Sequence, residues 1–537
     1  MLDRLIQLFL CKSFLFINKI CNNVTMKKLA LFLLTISSIS LAACSNDSNS
    51  SSSISDKSTI TINYNDGSEA KTYYLADKEE YNFSSPTQGV YQDKYFLGFY
   101  NNDTFFPSSG TWDISKGNIT LNALWGDNKD ITRSFASYLT KEDIKYTYTY
   151  KPSSFMSDKA DKDLAIISYA SSLTSMEEEL VKDFYQELAF DDIKTYNYDV
   201  KEVDNIAFTL ANKKINDKTI LAVAIRSGKY GVEWSNNFKV GETGDHEGFT
   251  SSANKVVEEL NKYINNEQLN KNDIKLWING YSRGGGVSNI VAHKLIKDNI
   301  FTDHQVMAYT FEAPRGIVES NIINATHVYN FYNECDVVAA IPPSEYLFAR
   351  EGKDINIYKN NIDEIFKNTY GIDLPSFTAT SNFQNDQELL AYVLRVLLTD
   401  LGENGKDMHD RAHYYANYQS AITYLIELYF NLDQKVIDKV ISEVKKIYKE
   451  KPVELMKLLS EDGLYNFLSP ILDEYKVSFD KTKLKDYTNV IVNFVTTAGI
   501  SVAASLVSNL TLATRFMGMH FPEVNYALLK DLDFASI

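Results

Sequence analysis

The chain has 537 residues, enough for two or three domains and a large core. Hydrophobic residues make up 44% of it and charged residues 23%, the balance of an ordinary globular protein. A formal net charge of -16 leaves no basic footprint to neutralise phosphates, which argues against a nucleic-acid partner.

The first stretch reads as a targeting segment. Met26-Lys27-Lys28 is a charged start, and Leu29 to Leu41 is an apolar run too short for a comfortable membrane span. Leu41-Ala42-Ala43-Cys44 follows directly and resembles the lipobox of bacterial lipoproteins, which implies that Cys44 is lipidated after cleavage. Residues 1–25 precede this start and hold a largely apolar run of their own, Leu5 to Phe16, so the leader reads either from Met26 or from Met1. Of four cysteines, Cys11 and Cys21 lie upstream of Met26 and Cys44 would carry lipid, which leaves Cys335 and no disulfide framework. Cys335, at a strand end, reads as a small buried residue. The expected location is extracytoplasmic, anchored to the bacterial cell membrane through Cys44.

Residues 45–58 are a Ser/Asn/Asp-rich linker, read as a flexible tether. Residues 59–126 change character. Ile60, Ile62 and Tyr64 alternate, and Asn65-Asp66-Gly67 signals a turn. Further on stand Tyr95-Phe96-Leu97-Gly98-Phe99-Tyr100 and Asn118-Ile119-Thr120-Leu121-Asn122-Ala123-Leu124-Trp125. These stretches resemble one Listeria–Bacteroides repeat, a small β-grasp module of bacterial surface proteins, with Phe99 in place of the usual Trp. The resemblance implies a spacer or a contact with cell-surface or host glycans or proteins.

Residues 127–537 read as the large domain. Leu164 to Leu173, Met176 to Leu188, Ser251 to Ile264 and Gly285 to Lys297 carry helical periodicity. Ile206 to Ala211, Ile220 to Ile225, Val306 to Phe311 and Val328 to Tyr332 read as strands, Ile220 to Ile225 as one buried on both faces of a parallel sheet. Strands alternating with helices predict a doubly wound α/β sheet. From about 356 to 518 the pattern is nearly all helical: Glu388 to Leu401, Arg411 to Phe430, Val436 to Lys449 and Val453 to Leu459. Tyr487 to Thr514 carries no charge, and reads as buried or lid-forming helix in preference to membrane contact because Thr and Ser dilute it.

Ile274 to Gly286 organises this domain. Ile274, Leu276 and Ile278 alternate as on a strand; Gly280-Tyr281-Ser282-Arg283-Gly284 is a G-x-S-x-G turn; Val287, Ile290, Val291 and Leu295 recur at helical spacing. A serine on such a turn is exposed at the carboxyl edge of the sheet, at the start of a helix that favours developing negative charge. Its hydroxyl needs a histidine to accept the proton, an acid to orient that histidine, and backbone N–H groups for the oxyanion. The N–H of Arg283 is one such donor, and the loop after Ile220 to Ile225 supplies the other. Asp336 follows the strand Val328 to Tyr332, where α/β sheets place functional groups. Among seven histidines, His409, His413 and His520 come after this acid. His409 and His413 start a helix at a spacing that could hold a metal, with no third ligand evident. His520 lies on a loop before a terminal helix and is the preferred base.

Five ordered stretches then resemble the class 3 (fungal-type) lipases, a family of α/β-hydrolases. They are Ile225-Arg226-Ser227-Gly228 through Trp234, Asp245-His246-Glu247-Gly248-Phe249, Gly280 to Gly284, Tyr309-Thr310-Phe311-Glu312-Ala313-Pro314-Arg315, and Asn333 to Pro343. Departures are Tyr281 for His, Arg283 for Leu, Ser227 for Gly and Ala339 for Pro. The resemblance implies an α/β-hydrolase sheet with a large helical insertion, Asp336 as the triad acid, Gly228 as the second oxyanion donor, and hydrolysis of lipid or other small esters with no metal or organic cofactor. Met519-His520-Phe521-Pro522-Glu523 resembles the ending of related bacterial lipase-like proteins. A thioesterase, acyltransferase or peptidase would use the same triad; an adhesin with a degenerate hydrolase scaffold is the alternative of a different class.

Overall fold

The computed structural model describes residues 57–375, 411–497 and 518–537, apart from 88, 141–142, 200, 337, 343–345 and 451–453. Cys44 and the rest of the leader, Glu388 to Leu401, His409 and residues 498–514 lie outside the described residues.

The first unit forms strands β1 (Lys57–Asn63), β2 (Lys71–Ala76), β3 (Val90–Tyr91), β4 (Lys94–Asn101) and β5 (Ile119–Gly126). The sheet runs β2-β1-β5-β4-β3, with β1 and β5 parallel at its centre and the other pairs antiparallel. Alternate residues, Ile60 and Ile62 from β1 and Leu121 and Ala123 from β5, close a core with Tyr81, Phe83, Phe99 and Trp112. β1 begins at Lys57, inside the expected linker, because Ser58 is already buried and paired with Leu75.

A hairpin follows, β6 (Lys129–Phe135) with β7 (Ile144–Tyr150), then helices α1 (Lys162–Thr174) and α2 (Glu178–Glu187). The central sheet comprises β8 (Asp191–Tyr196), β9 (Phe208–Ile215), β10 (Lys218–Ile225), β11 (Ile274–Tyr281), β12 (Val306–Phe311), β13 (Val328–Tyr332) and β14 (Lys353–Asn356), in that order in space. β8 to β10 pair antiparallel; β10 to β14 are parallel. Helices α3 (Glu247–Asn266) and α4 (Arg283–Lys297) are the crossovers on either side of β11.

The pleat sorts the apolar side chains into two layers. Leu221, Val223 and Ile225 of β10 and Leu276 and Ile278 of β11 face α3 and α4. Ala222, Ala224, Trp277 and Tyr281 face the other way, onto α1 and the C-terminal helix. The α/β class is therefore as read, with helices on both faces. Two details differ. β10 has an antiparallel neighbour on one side, and β9 extends to Ile215 where Ala211 was the expected end. β9 continues because its polar residues find partners: buried Lys213 donates to the carbonyls of Phe96 (2.8 Å) and Leu188 (2.7 Å).

Beyond the sheet come α5 (Ile362–Tyr370), α6 (Ser420–Phe430), α7 (Gln434–Glu450), α8 (Gly463–Glu474), α9 (Lys481–Thr497) and α10 (Pro522–Asp531). Helices α6 to α9 share a core of their own around Val436, Val440, Ile471, Leu472 and Leu484. Residues 487–497 of the charge-free run belong to α9. Among the described residues, no helix is long and apolar enough to cross a membrane. Ahead of α6, Arg411 clamps the carbonyls of Gly241 and Gly244, each at 2.7 Å.

Lys213 ties the first unit to the sheet. Burial holds its ammonium well below the ordinary lysine range. The unfolded chain therefore binds a proton there that the fold does not, and wild-type stability climbs with pH toward the ordinary lysine value. Lys213→Met should flatten the rise of melting temperature between about pH 7 and pH 10, measured by thermal unfolding at fixed ionic strength.

Candidate active site

β11 ends and α4 begins with Ser282 alone between them. Ser282 sits at φ 55, ψ -132, a conformation a residue with a Cβ rarely adopts. Two glycines make the turn. A Cβ at Gly280 would lie 2.3 Å from the carbonyl oxygen of Gly284, and one at Gly284 would lie 2.6 Å from that of Arg226. The Ser282 N–H donates to Phe311 at 2.8 Å, which locks the turn to the end of β12. The hydroxyl is left half-buried above the sheet.

His520 reaches this hydroxyl from the loop before α10. Its Nε2 lies 2.9 Å from Ser282 Oγ, and its Nδ1 lies 2.5 Å from Asp336 Oδ2. Asp336 is buried at the turn after β13, and its other oxygen accepts the Val338 N–H at 2.8 Å. A carboxylate accepts only, so Nδ1 carries the proton and Nε2 is free to accept from serine. The three residues singled out in the sequence are thus brought together in one hydrogen-bonded line.

The expected oxyanion donors lie on the start of α4 and on the loop after β10. Arg283 is the first residue of α4, so its N–H has no acceptor within the helix. Its side chain turns away, into the layer between α3 and α4, where Nη2 donates to Ser252 at 3.0 Å. Gly228 lies on the loop after β10, against Met176. The hydroxyl of Ser227, the one side chain on that loop considered for the oxyanion, is engaged elsewhere: it accepts from the Tyr281 N–H (3.0 Å) and reaches the Ile225 carbonyl (3.2 Å).

Residues 222–346 match the family model of class 3 lipases. The matched stretch holds Gly228, Ser282, Arg283 and Asp336 and stops before His520. The match supports a lipase-type ester hydrolase. No curated protein sequence matches the chain. Among solved structures, the Rhizomucor miehei triacylglyceride lipase is 17% identical with a TM-score of 0.30, over 38% of this chain and 83% of that one. The lipase of Rhizopus microsporus var. chinensis is 15% identical with a TM-score of 0.29, over 36% and 74%. Lipase II of Rhizopus niveus is 15% identical with a TM-score of 0.27, over 38% and 79%.

The departures from the lipase motifs have identifiable work. Tyr281, where the family has His, donates its hydroxyl to the His520 carbonyl at 2.5 Å and accepts from Asn525 Nδ2 at 3.2 Å. Asn525 also donates to the Met519 carbonyl at 2.8 Å. Glu523, buried in the first turn of α10, accepts the N–H groups of Tyr138 (2.7 Å) and Leu139 (2.8 Å), and burial raises its pKa. The main chain around His520 is therefore held at two adjoining carbonyls, that of His520 by Tyr281 and that of Met519 by Asn525. Sequence reasoning missed Tyr281, Asn525 and Glu523 in this role; the aromatic at the family's His position was the available signal. It also missed Glu312, a carboxylate where the lipase motif carries Gly.

Two histidines ahead of the acid have structural partners. His246 caps α3, accepting the Phe249 N–H at 3.3 Å, and burial lowers its pKa to about 3. His293 is buried against Glu351 at 2.8 Å. Among the described residues, no group of His, Cys, Asp and Glu is arranged to hold a metal ion.

Tyr281→Phe should leave the fold intact and cost about 1–2 kcal/mol, because it removes one hydroxyl from between two buried polar groups. Urea unfolding with an unchanged slope would register it.

Proposed function

We propose that this chain is a serine ester hydrolase acting on lipids or other carboxylic esters. The observation that carries the reading is the Ser282–His520–Asp336 line on a strained strand–helix turn. Ser282 Oγ attacks the ester carbonyl carbon as His520 Nε2 takes its proton. The carbonyl oxygen becomes an oxyanion, held by the N–H groups of Arg283 and Gly228. Collapse of the tetrahedral intermediate breaks the bond to the alcohol oxygen, which leaves with the proton from His520. Water then attacks the acyl-enzyme with His520 as base, and Ser282 is regenerated with release of the acid. Asp336 orients His520 and offsets the imidazolium charge. No metal ion or organic cofactor is required by these steps. An α/β-hydrolase with a helical insertion between acid and base agrees with the described order of strands and helices. The intact line of three residues disfavours a degenerate scaffold.

In this reading the protein is anchored outside the bacterial cytoplasm by lipid on Cys44. The first unit is a β-grasp-like module of the Listeria–Bacteroides type, serving as a spacer or a surface contact. Its parallel central pair, β1 with β5, supports that assignment.

Ser282→Ala should abolish hydrolysis of nitrophenyl esters and labelling by a fluorophosphonate probe. His520→Ala should lower kcat by about four orders of magnitude, whereas His409→Ala should stay within about threefold of wild type. Activity that survives His520→Ala but is lost in His409→Ala would reassign the base.

Cys44→Ser should release the protein from the membrane fraction or block its processing. Fractionation after feeding a clickable fatty acid reads this directly, and an unlabelled, membrane-free wild type would refute the anchor.

A further inference from the structure

A second carboxyl lies behind the proposed acid. Glu312 follows the last residue of β12, one strand from Ser282, at φ 47. That backbone conformation suits glycine, the residue the lipase motif carries there, so what the position gains is the side chain. The side chain is fully buried. Its two oxygens lie 3.1 and 2.9 Å from the N–H of Asn333, and the carboxyl makes a side-chain hydrogen bond with Asp336. Asn333 closes the turn that presents Asp336, its carbonyl accepting the Asp336 N–H at 2.8 Å.

Two carboxyls in buried contact cannot both carry charge, so a proton stays between them. The partners decide where. Asp336 accepts from His520 Nδ1 and from the Val338 N–H, so both of its oxygens already serve as acceptors. Among the described residues, the N–H donor to Glu312 is that of Asn333. Among the described residues, Arg350, Tyr281 and Tyr169 also interact with it electrostatically. Arg350 is committed to the Ala313 carbonyl and to Asp354, each at 2.7 Å; both phenols have pKa values driven upward by burial and stay neutral.

We propose that Glu312 is a positioning residue: as the neutral acid it donates its O–H to Asp336 and accepts from Asn333, holding the Asp336 carboxylate in line with His520. Burial first, and Asp336 second, push the Glu312 carboxyl well above the usual carboxylate range. The proposal rests on the serine-hydrolase reading above.

Two variants test it. Glu312→Gln keeps the shape, the acceptor and a donor, and never carries charge. Glu312→Gly gives the backbone its preferred residue and removes the donor. Turnover of a nitrophenyl ester would be followed from about pH 5 to pH 9, with thermal unfolding at each pH. Glu312→Gln should retain kcat within about threefold and keep the wild-type pH profile. Glu312→Gly should melt no lower than wild type, yet lose about tenfold or more in kcat with the acid limb of kcat/KM displaced. A carboxyl with a raised folded pKa contributes stability below the ordinary carboxylate value and loses it as pH rises. The melting temperature of Glu312→Gln should therefore match wild type near pH 4 and exceed it increasingly above about pH 5. Loss of activity in Glu312→Gln equal to that in Glu312→Gly, or a stability gap that does not widen with pH, would overturn the neutral-donor role. Full activity and an unmoved profile in Glu312→Gly would make Glu312 merely structural. The unfolding series can be repeated in Ser282→Ala, so an inactive wild type would overturn the hydrolase reading without deciding the fate of this proton.

Discussion

Everything at this site depends on how closely a strand and a helix approach at Ser282. The approach is possible only where side chains are absent: Gly280 faces the Gly284 carbonyl, and Gly284 faces the Arg226 carbonyl, at separations a Cβ could not occupy. That contact brings the end of β10 and the loop after it against the start of α4. Because the Ser282 N–H is bonded to the end of β12, the hydroxyl has a fixed bearing relative to β13 and hence to Asp336. The unfavourable backbone angle of one residue is sustained by three strands and a helix.

The histidine has no strand to hold it, and the structure compensates. The loop carrying His520 is short of regular structure, so its geometry comes from buried polar contacts to its main chain, from Tyr281 and Asn525, and from the strap between Glu523 and residues 138 and 139. Such networks keep their shape only while every member is satisfied. One residue that departs from the lipase motifs, Tyr281, belongs to this network, bonded to the His520 carbonyl and to Asn525.

Much of this was legible in the sequence, for local reasons. The nucleophile turn has its own signature in Ile274 to Leu295, and Asp336 stands at the carboxyl end of an apolar strand. His520 was legible by its place after the acid and before a helix. What was not legible depended on distant partners. The hairpin β6–β7 alternates Tyr146, Tyr148 and Tyr150 with polar residues and becomes buried only because α1 covers it. β9 runs through Lys213 because carbonyls of the first unit and of Leu188 accept from its amine. β14 is four residues long and owes its existence to β13. Glu312 was not among the departures read from the sequence, and its meaning needed Asn333 and Asp336 beside it.

The separation between Ser282 and His520 along the chain has a further consequence. His520 lies 238 positions after Ser282, with α5 to α9 in between. A chain made from its amino end forms the sheet, the turn and the acid well before the imidazole is synthesised. A chain cut short before α10 would hold Ser282 and Asp336 without the imidazole that joins them. The hydrogen-bonded line closes only when α10 docks against α1 and α5, so its completion depends on the C-terminal helix folding back onto elements laid down far earlier in the chain.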